Sequence, residues 1–412
     1  MRKIFLKILQ FKLKIIAQLF ILRYKPKIIG ITGSVGKSSV KEAIYTVLCS
    51  KFKVRRNLGS YNNEIGVPLT IIGEESPGSN LLGWIILFFR ALKNFIYDKD
   101  YPKILVLEMG VDKPRDLDYL LSFIKPKIAV ITSIAPAHLE AMKSEEEIYK
   151  EKSKLALGLS RGGTAILNFD DERLRRLGLS LKHKVLFYGF EDQAQLFASE
   201  IKYQNKGMIF NLNYAGSVVP ARINSLGRGQ VLAALAACAA ALTLKMDLIS
   251  ASKELLKIRG LKGRLKIFKG KKKTTLIDDS YNSNPASAKS GLEAAGALKE
   301  NGNYQRLVLI LGDMLELGTI SKRSHINLGR EAAKIADVVI AVGREAKNIS
   351  SNLWFPDAKT LNKKILSILR PGDLVLIKGS QGVRMERVSR VLLRDKRDIK
   401  RLPRMTGYWT GK

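Results

Sequence analysis

The segment Gly30-Ile-Thr-Gly-Ser-Val-Gly-Lys-Ser-Ser39 packs three glycines, three serines and a lysine into ten residues. It follows an apolar run ending at Thr32 and precedes a helical stretch, which makes it a strand-to-helix loop. Such a loop turns backbone N–H groups toward an anion, and the helix N-terminus adds partial positive charge. Gly33, Ser34 and Gly36 let the chain approach phosphate oxygens, Lys37 supplies a cation for the terminal phosphates, and Ser38, followed by Ser39, offers a hydroxyl to Mg²⁺. The expected ligand is a nucleotide. The loop departs from its usual form at Ile31, where a glycine is common.

Two further residues fall where they can share that chemistry. Glu108 ends the strand-like run Leu-Val-Leu-Glu, and His138 follows the next one in Ala137-His-Leu-Glu140. In open α/β sheets, ligands sit beyond the carboxyl ends of strands, so both residues belong beside the glycine-rich loop and can bind Mg²⁺ around phosphates. Lys152, in Lys150-Glu-Lys-Ser-Lys154, reads on its own as part of a solvated charged helix face.

These side chains need a scaffold, and the apolar runs provide one. Lys27-Thr32, Lys103-Glu108, Lys127-Ser133, Thr164-Asn168, Thr274-Asp278, Arg306-Gly312, Asp337-Val342 and Asp373-Lys378 are short, rich in Val, Ile and Leu, and separated by helical stretches. Such alternation implies an α/β fold whose mainly parallel sheets are covered on both faces. The Ala-rich stretch Val231-Thr243 predicts a tightly packed helix. The helical pattern breaks around Gly260, which divides the chain into residues 1–25, 26–259 and 260–412.

Residues 1–25 form a separate problem. Ile, Leu and Phe dominate, while Lys3, Lys7, Gln10, Lys14 and Gln18 recur at helical spacing on one stripe. The interruptions argue against a spanning helix, and the dispersed lysines against a signal peptide. A short basic amphipathic helix lying in the plane of a membrane interface fits, as does one docked on the protein's own surface. A second apolar run, Leu81-Phe89, is too short to span and reads as a core helix.

The 412 residues carry 71 Lys plus Arg against 37 Asp plus Glu, a net charge of +34. Residues 1–27, 257–273 and 391–412 hold +22 of it, which points to a polyanionic partner: an anionic membrane, phosphorylated substrates or nucleic acid. No nucleic-acid-binding motif accompanies the charge, so no nucleic-acid partner is expected. Two distant cysteines exclude a disulfide framework and suit a reducing cytoplasm.

A longer set of strings occurs in order. Besides the loop, Glu108-Met-Gly110 and Ala137-Glu140 with Lys152, it comprises Asn62-Asn-Glu-Ile-Gly-Val-Pro-Leu-Thr70, Gly263-Arg264 and Asp278-Asp-Ser-Tyr-Asn-Ser-Asn-Pro285. It continues through Leu311-Gly-Asp-Met-Leu-Glu-Leu-Gly318 and Lys378-Gly-Ser380 to Met385-Glu386. Over about residues 27–390 the chain resembles the Mur ligases of peptidoglycan synthesis, most of all their D-alanyl-D-alanine-adding branch. That resemblance implies a central P-loop ATPase domain and a C-terminal Rossmann-like α/β domain. It also implies an ATP-dependent, ADP-forming ligase that activates a peptidoglycan-precursor carboxylate as an acyl phosphate and couples it to a D-Ala-D-Ala-type amine.

By the same resemblance, Lys37 holds the transferring phosphate, Ser38 and Glu108 bind one Mg²⁺, and His138 with a carbamoylated Lys152 serves a second. Arg264 contacts phosphates and Asp279 the ribose. Asn63, or its neighbour Asn62, lines the active site, while Asn282, Lys378, Ser380 and Glu386 serve the substrates. Gly229, Gln230 and Ala233 replace a family His-Asn…Asn set, and Gln381 replaces an arginine. The acceptor implied is of UDP-N-acetylmuramoyl-tripeptide type, yet the family's N-terminal UDP-binding domain has no counterpart before the loop; the basic helix there is expected to hold the enzyme at the inner face of the cell membrane, or near a lipid-linked or partner-presented acceptor. Alternatives are a relative joining another amine to another carboxylate, as in polyglutamate or cyanophycin synthesis, or a non-catalytic scaffold.

Overall fold

The computed structural model describes residues 2–59, 61–111, 113–135, 142, 144–204, 207–258 and 260–405. They form two compact units, residues 1–199 with 211–221 and 232–256, and residues 257–412 with 200–210 and 222–231. The fold is α/β with large, mainly parallel sheets. In chain order the first elements are α1 (Arg2–Tyr24), β1 (Lys27–Thr32), α2 (Lys37–Leu48), β2 (Val54–Arg56), α3 (Gly66–Ile72), α4 (Leu81–Tyr97), β3 (Ile104–Glu108) and α5 (Asp116–Leu121). They continue through β4 (Ile128–Ile131), α6 (Glu145–Leu157), β5 (Thr164–Asn168), α7 (Glu172–Ser180) and β6 (Lys184–Gly189). Strands β7 (Leu196–Gln204), β8 (Gly207–Tyr214) and β9 (Ser217–Ile223) extend the sheet, followed by α8 (Arg228–Thr243) and α9 (Leu248–Glu254).

The nine-stranded sheet has the order β2-β3-β1-β4-β5-β6-β7-β8-β9. From β1 the chain lays β2 and β3 on one side, then β4 to β6 on the other, so strand order reverses at β1. A crevice opens beyond the carboxyl end of the strands at such a reversal. Parallel register pairs Ile31 with Glu108 and Thr32 with Ile131, which brings the glycine-rich loop, Glu108 and the segment after β4 to that edge. Buried β-branched and leucine side chains on β1, β3 and β4 hold the three strands in place.

The second unit contains β10 (Lys266–Lys269), β11 (Thr275–Asp279), α10 (Pro285–Asn301), β12 (Leu307–Gly312), α11 (Ser321–Ile335), β13 (Val338–Val342), β14 (Leu353–Phe355), α12 (Ala358–Ile368), β15 (Leu374–Lys378) and α13 (Glu386–Leu392). Its sheet runs β10-β11-β15-β12-β13-β14, parallel except for β10 against β11. Register sets Asp279 beside Lys378, and Lys378 beside Leu311, at one sheet edge.

All eight apolar runs lie on strands, and the Ala-rich stretch is α8, buried on nearly every side. Helix α1 docks on the protein's own surface through Leu9, Leu13, Ala17 and Phe20, one of the two placements its pattern allows, and its polar stripe is partly covered: Lys14 lies over the Tyr119 and Phe123 rings, and the Gln10 carbonyl accepts from Tyr119 Oη. Helix α4 corrects the sequence reading, since it is not a core helix. Trp84, Leu87 and Ala91 are buried, while Leu81, Leu82, Ile85, Ile86 and Phe89 are exposed. Its apolar run extends round the helix, but only one side of that helix meets the core.

Candidate active site

The glycine-rich loop is built from its backbone outward. Gly33 has φ +143°, and a Cβ there would come within 2.0 Å of Thr132 Oγ1, so the position admits only glycine. Gly36, at φ +89°, caps α2 in the left-handed region. The loop is stitched to the segment after β4. Ser34 N donates to the Ser133 carbonyl at 2.9 Å, Ser34 Oγ to the Ala135 carbonyl at 2.8 Å, and Thr132 Oγ1 to the Val35 carbonyl at 2.6 Å. These bonds leave the start of α2 open as an anion site, with Lys37 Nζ donating to the Gly33 carbonyl at 2.7 Å over the loop. Ser39 stands in the same first turn.

Ser38 Oγ donates to Glu108 Oε1 at 3.0 Å. Glu108 is only 3% exposed, and its Oε2 has no hydrogen-bond partner although Lys41 Nζ lies 3.4 Å away. Asn57 fixes the glutamate backbone from both sides, donating to the Glu108 carbonyl at 2.8 Å and accepting from its N–H at 2.9 Å. A hydroxyl beside a buried carboxylate oxygen left without a hydrogen bond is a hard-oxygen pair that fits Mg²⁺, which takes few protein ligands and completes its shell with phosphate and water. Among the described residues, no group of three or more His, Cys, Asp or Glu side chains is arranged to hold a metal by itself.

Lys41 escaped the sequence reading. It lies one turn beyond Lys37, is buried, and pairs with Glu42 at 3.6 Å as well as with Glu108. Its position on a helix directly after the loop was the available signal.

Lys152 corrects the solvated-face reading, since it is only 2% exposed within α6. Its neighbour Glu151 is buried too, accepting from Leu117 N at 3.0 Å and Lys154 Nζ at 2.6 Å. Of the three lysines only Lys150 is exposed, and it pairs with Glu146 at 3.8 Å. His138 lies outside the described residues. Asn63 Oδ1 accepts from Ile65 N at 3.2 Å and Gly66 N at 2.9 Å, fixing the entry to α3, while the adjacent Asn62 receives the Gly110 N–H at its carbonyl, 2.8 Å away. Asn168, Asp170, Asp171 and Arg173, all missed in sequence, line a cleft of about 580 Å³ with Ser133 and Ile134.

In the second unit, Lys378 Nζ pairs with Asp279 Oδ2 at 2.6 Å and donates to the Asn282 carbonyl at 3.1 Å. Burial pulls the lysine below its usual pKa, and Asp279 opposes that shift. Asp279 Oδ1 accepts from Leu265 N at 3.3 Å, and the Arg264 guanidinium stacks 4.7 Å from the centre of the Tyr281 ring. Asn282 itself is exposed. Ser380 Oγ bridges the Ser283 carbonyl at 3.0 Å and Leu315 N at 2.9 Å. Glu386 is fully buried between Arg384 at 2.5 Å and Arg404 at 2.7 Å, so here it anchors the C-terminal segment. The structure thus groups Asp279, Asn282, Lys378 and Ser380, and sets Glu386 in an ion-pair triad. Gln230 lies in the first turn of α8 with Gly229, Ala233 is buried further along that helix, and Gln381 follows Ser380. A cavity of about 960 Å³ in this unit is lined by Arg264, Lys266, Lys269, Arg394 and Arg401, which gives much of the basic clustering a cation-rich wall.

Asp278 is fully buried beside this group. Its Oδ1 accepts from Ser389 Oγ at 2.6 Å, its Oδ2 has no hydrogen-bond partner, and burial pushes its pKa to about 6. The folded pKa lies above the unfolded one, so the carboxyl's favourable contribution is complete below about pH 4 and is lost as pH rises through about 6. Asp278→Asn should therefore stabilise the second unit at pH 7.5 by up to about 3 kcal/mol and leave little difference at pH 4. Denaturant unfolding at the two pH values checks this; an equal difference at both would contradict it.

Comparison with known proteins places this geometry. Residues 90–241 match the Mur ligase middle domain, and residues 263–381 match the Mur ligase glutamate ligase domain. The UDP-N-acetylmuramoyl-tripeptide--D-alanyl-D-alanine ligase of Bacillus subtilis is 28% identical over 392 residues, covering 92% of this chain and 78% of the relative. The ligase of the same name from Buchnera aphidicola subsp. Baizongia pistaciae is 30% identical over 357 residues, 83% of this chain and 71% of the relative. The crystal structure of the MurF ligase from Thermotoga maritima, solved with ADP, superposes with a TM-score of 0.78 at 26% identity, covering 93% of this chain and 83% of that one. Shared identity across most of both chains, with the two domain types matched in order, means that this chain belongs to the Mur ligase family.

Proposed function

We infer that this protein is an ATP-dependent, ADP-forming amide ligase of peptidoglycan-precursor synthesis that adds D-Ala-D-Ala to a UDP-N-acetylmuramoyl-tripeptide-type acceptor. Of the structural observations, the loop over α2 with the Ser38–Glu108 pair at its base carries this reading. In the reaction, an acceptor carboxylate oxygen attacks the γ-phosphorus of ATP and ADP departs, leaving an acyl phosphate. The amine of D-Ala-D-Ala then attacks the acyl carbon, loses a proton, and expels inorganic phosphate.

The chain's part is to hold and neutralise charge rather than to supply a nucleophile. Backbone N–H groups from Gly36 to Ser39, at the start of α2, cradle the phosphates, and Lys37 follows the charge that builds on the transferring group. Ser38 and Glu108 would hold Mg²⁺, which when bound offsets phosphate charge. Lys41, 3.4 Å from Glu108, compensates the charge of that buried carboxylate. In the second unit Arg264 and Asp279 are the proposed phosphate and ribose contacts and Asn282, Lys378 and Ser380 the proposed substrate-side residues, with Glu386 acting through the Arg384 and Arg404 it pairs with; in the first unit Asn63 is the proposed substrate-side residue. His138 and a carbamoylated Lys152 would provide ligands for a second ion. The family domains are taken as residues 26–259 and 260–412, after the helix of residues 1–25, with the enzyme cytoplasmic and peripheral at the inner membrane face.

Purified protein incubated with ATP, Mg²⁺, UDP-N-acetylmuramoyl-tripeptide and D-Ala-D-Ala should give the pentapeptide product and equimolar ADP by mass spectrometry. Folded protein that binds ATP yet yields neither product would overturn the reading.

A further inference from the structure

Among the described residues, 14 of the 25 large apolar side chains that stand exposed are on α1 and α4, two helices of 23 and 17 residues. On α1, Ile8, Phe11, Ile15, Leu19 and Leu22 recur at spacings of three and four, one stripe of a helix. At 3.6 residues per turn that stripe lies about 150° round the helix from the docked set Leu9, Leu13, Ala17 and Phe20. Between the two stripes, Lys12 and Arg23 fall on one flank and Lys7 and Lys14 on the other. On α4, Leu81, Ile85, Phe89, Leu92 and Ile96 form a second such stripe, roughly 130° from Trp84, Leu87 and Ala91, with Lys93 on its flank, while Arg90 lies farther round and pairs with Glu74 at 3.9 Å. Phe11 is 62% exposed and Phe89 70%.

The helices meet at their C-terminal turns. Phe20 packs on Phe95 with ring centres 5.4 Å apart, Tyr24 Oη donates to the Asn94 and Phe95 carbonyls at 3.0 Å, and Arg23 donates to the Ile96 carbonyl at 3.1 Å. Together they carry eight Lys or Arg and no acid. Apolar stripes edged by cations, without one carboxylate, complement a surface that is apolar inside and anionic outside. No helix among the described residues is long and apolar enough to cross a membrane, so such a surface is met from one side.

We propose that α1 and α4 form a bilayer-docking platform: their exposed apolar stripes enter the headgroup–acyl boundary of an anionic leaflet while Lys7, Lys12 and Lys93 pair with lipid headgroups. This rests on the peripheral-membrane reading above and extends it to a named surface, half of it supplied by α4. Because α1 leads directly into β1, the platform belongs to the same unit as the nucleotide loop.

Flotation of the full chain with phosphatidylglycerol/phosphatidylethanolamine vesicles, against phosphatidylcholine vesicles, tests it. The chain should float with the anionic vesicles, weaken as salt rises, and lose at least tenfold in partitioning in Phe11→Glu/Phe89→Glu. Leu82→Glu/Ile86→Glu, confined to α4, should also lose partitioning, with helical circular dichroism unchanged in both variants. The proposal fails if the chain does not float, if both variants float like the parent, or if light scattering shows a dimer that the same substitutions dissolve, which would make a second copy the occupant. The assay contains no ATP or acceptor, so its failure leaves the ligase reading standing, and an inactive ligase can still float.

Discussion

Lys37→Ala should lower turnover by roughly 10³-fold or more while leaving the fold intact. The side chain is partly exposed at the first position of α2, and in this structure its ammonium reaches back to the Gly33 carbonyl at 2.7 Å. Removing a cation from a helix N-terminus is neutral or mildly favourable for the helix, by about 0.3–1 kcal/mol at most. The loss must then come from charge left uncompensated on the transferring phosphoryl group. ADP affinity, which tests only ground-state contacts, should fall much less than kcat. Measuring ADP release under saturating ATP, with thermal melts as the control, separates these effects. A kcat within tenfold of the parent would remove Lys37 from the phosphate-transfer role.

Ser38, Glu108 and Lys41 explain why that loop is more than a phosphate cradle. A buried carboxylate with one oxygen held by a hydroxyl and the other 3.4 Å from an ammonium is poised, because the ammonium offsets its desolvation without making a hydrogen bond. Glu108 Oε2, which makes no hydrogen bond, would be the oxygen offered to a divalent ion bound with the nucleotide. Asn57, reaching across 51 residues to bond both backbone groups of Glu108, keeps that carboxylate at the strand end.

What could be read from sequence follows the range of the forces involved. The glycine-rich loop and the eight buried strands are local: their residue types and runs carry the signal within ten residues. Strands β7 to β9 were missed because they are half-buried, and their signal is alternation along each strand; in β7, Glu200, Lys202 and Gln204 are exposed while Ile201 and Tyr203 between them are half-buried. Pairings such as Lys378 with Asp279, 99 residues apart, became visible only through sheet register. Composition misled at α4, since an apolar run reveals the tendency to be buried but not which side will find a partner. The same blindness applied to Lys41 and Lys152, where a charged letter in a helix stands by default for solvent.

Lys152 carries the second large effect. It is 2% exposed in α6, where Ile148, Leu155 and Ala156 are also buried, and an ammonium at such a depth costs several kcal/mol in desolvation unless it is compensated. Converting the amine to a carbamate replaces the cation by an anionic oxygen pair suited to a hard metal ion, which is the proposed role. Lys152→Ala should then reduce turnover by roughly 10²–10³-fold, the scale of a lost ligand that stabilises developing charge. Acetate or propionate, entering the space left by the side chain, should restore at least a tenfold part of it. Lys152→Met, which keeps the buried volume, should melt close to the parent yet stay inactive and show no rescue. A purely structural lysine predicts the opposite: an active Met variant and an Ala variant indifferent to carboxylates. Incubation with ¹³C-bicarbonate adds a reading independent of activity, since a carbamate carbon should appear in the parent NMR spectrum and be missing from both variants. If the parent shows no such carbon and the Ala variant is not rescued, Lys152 acts as an amine.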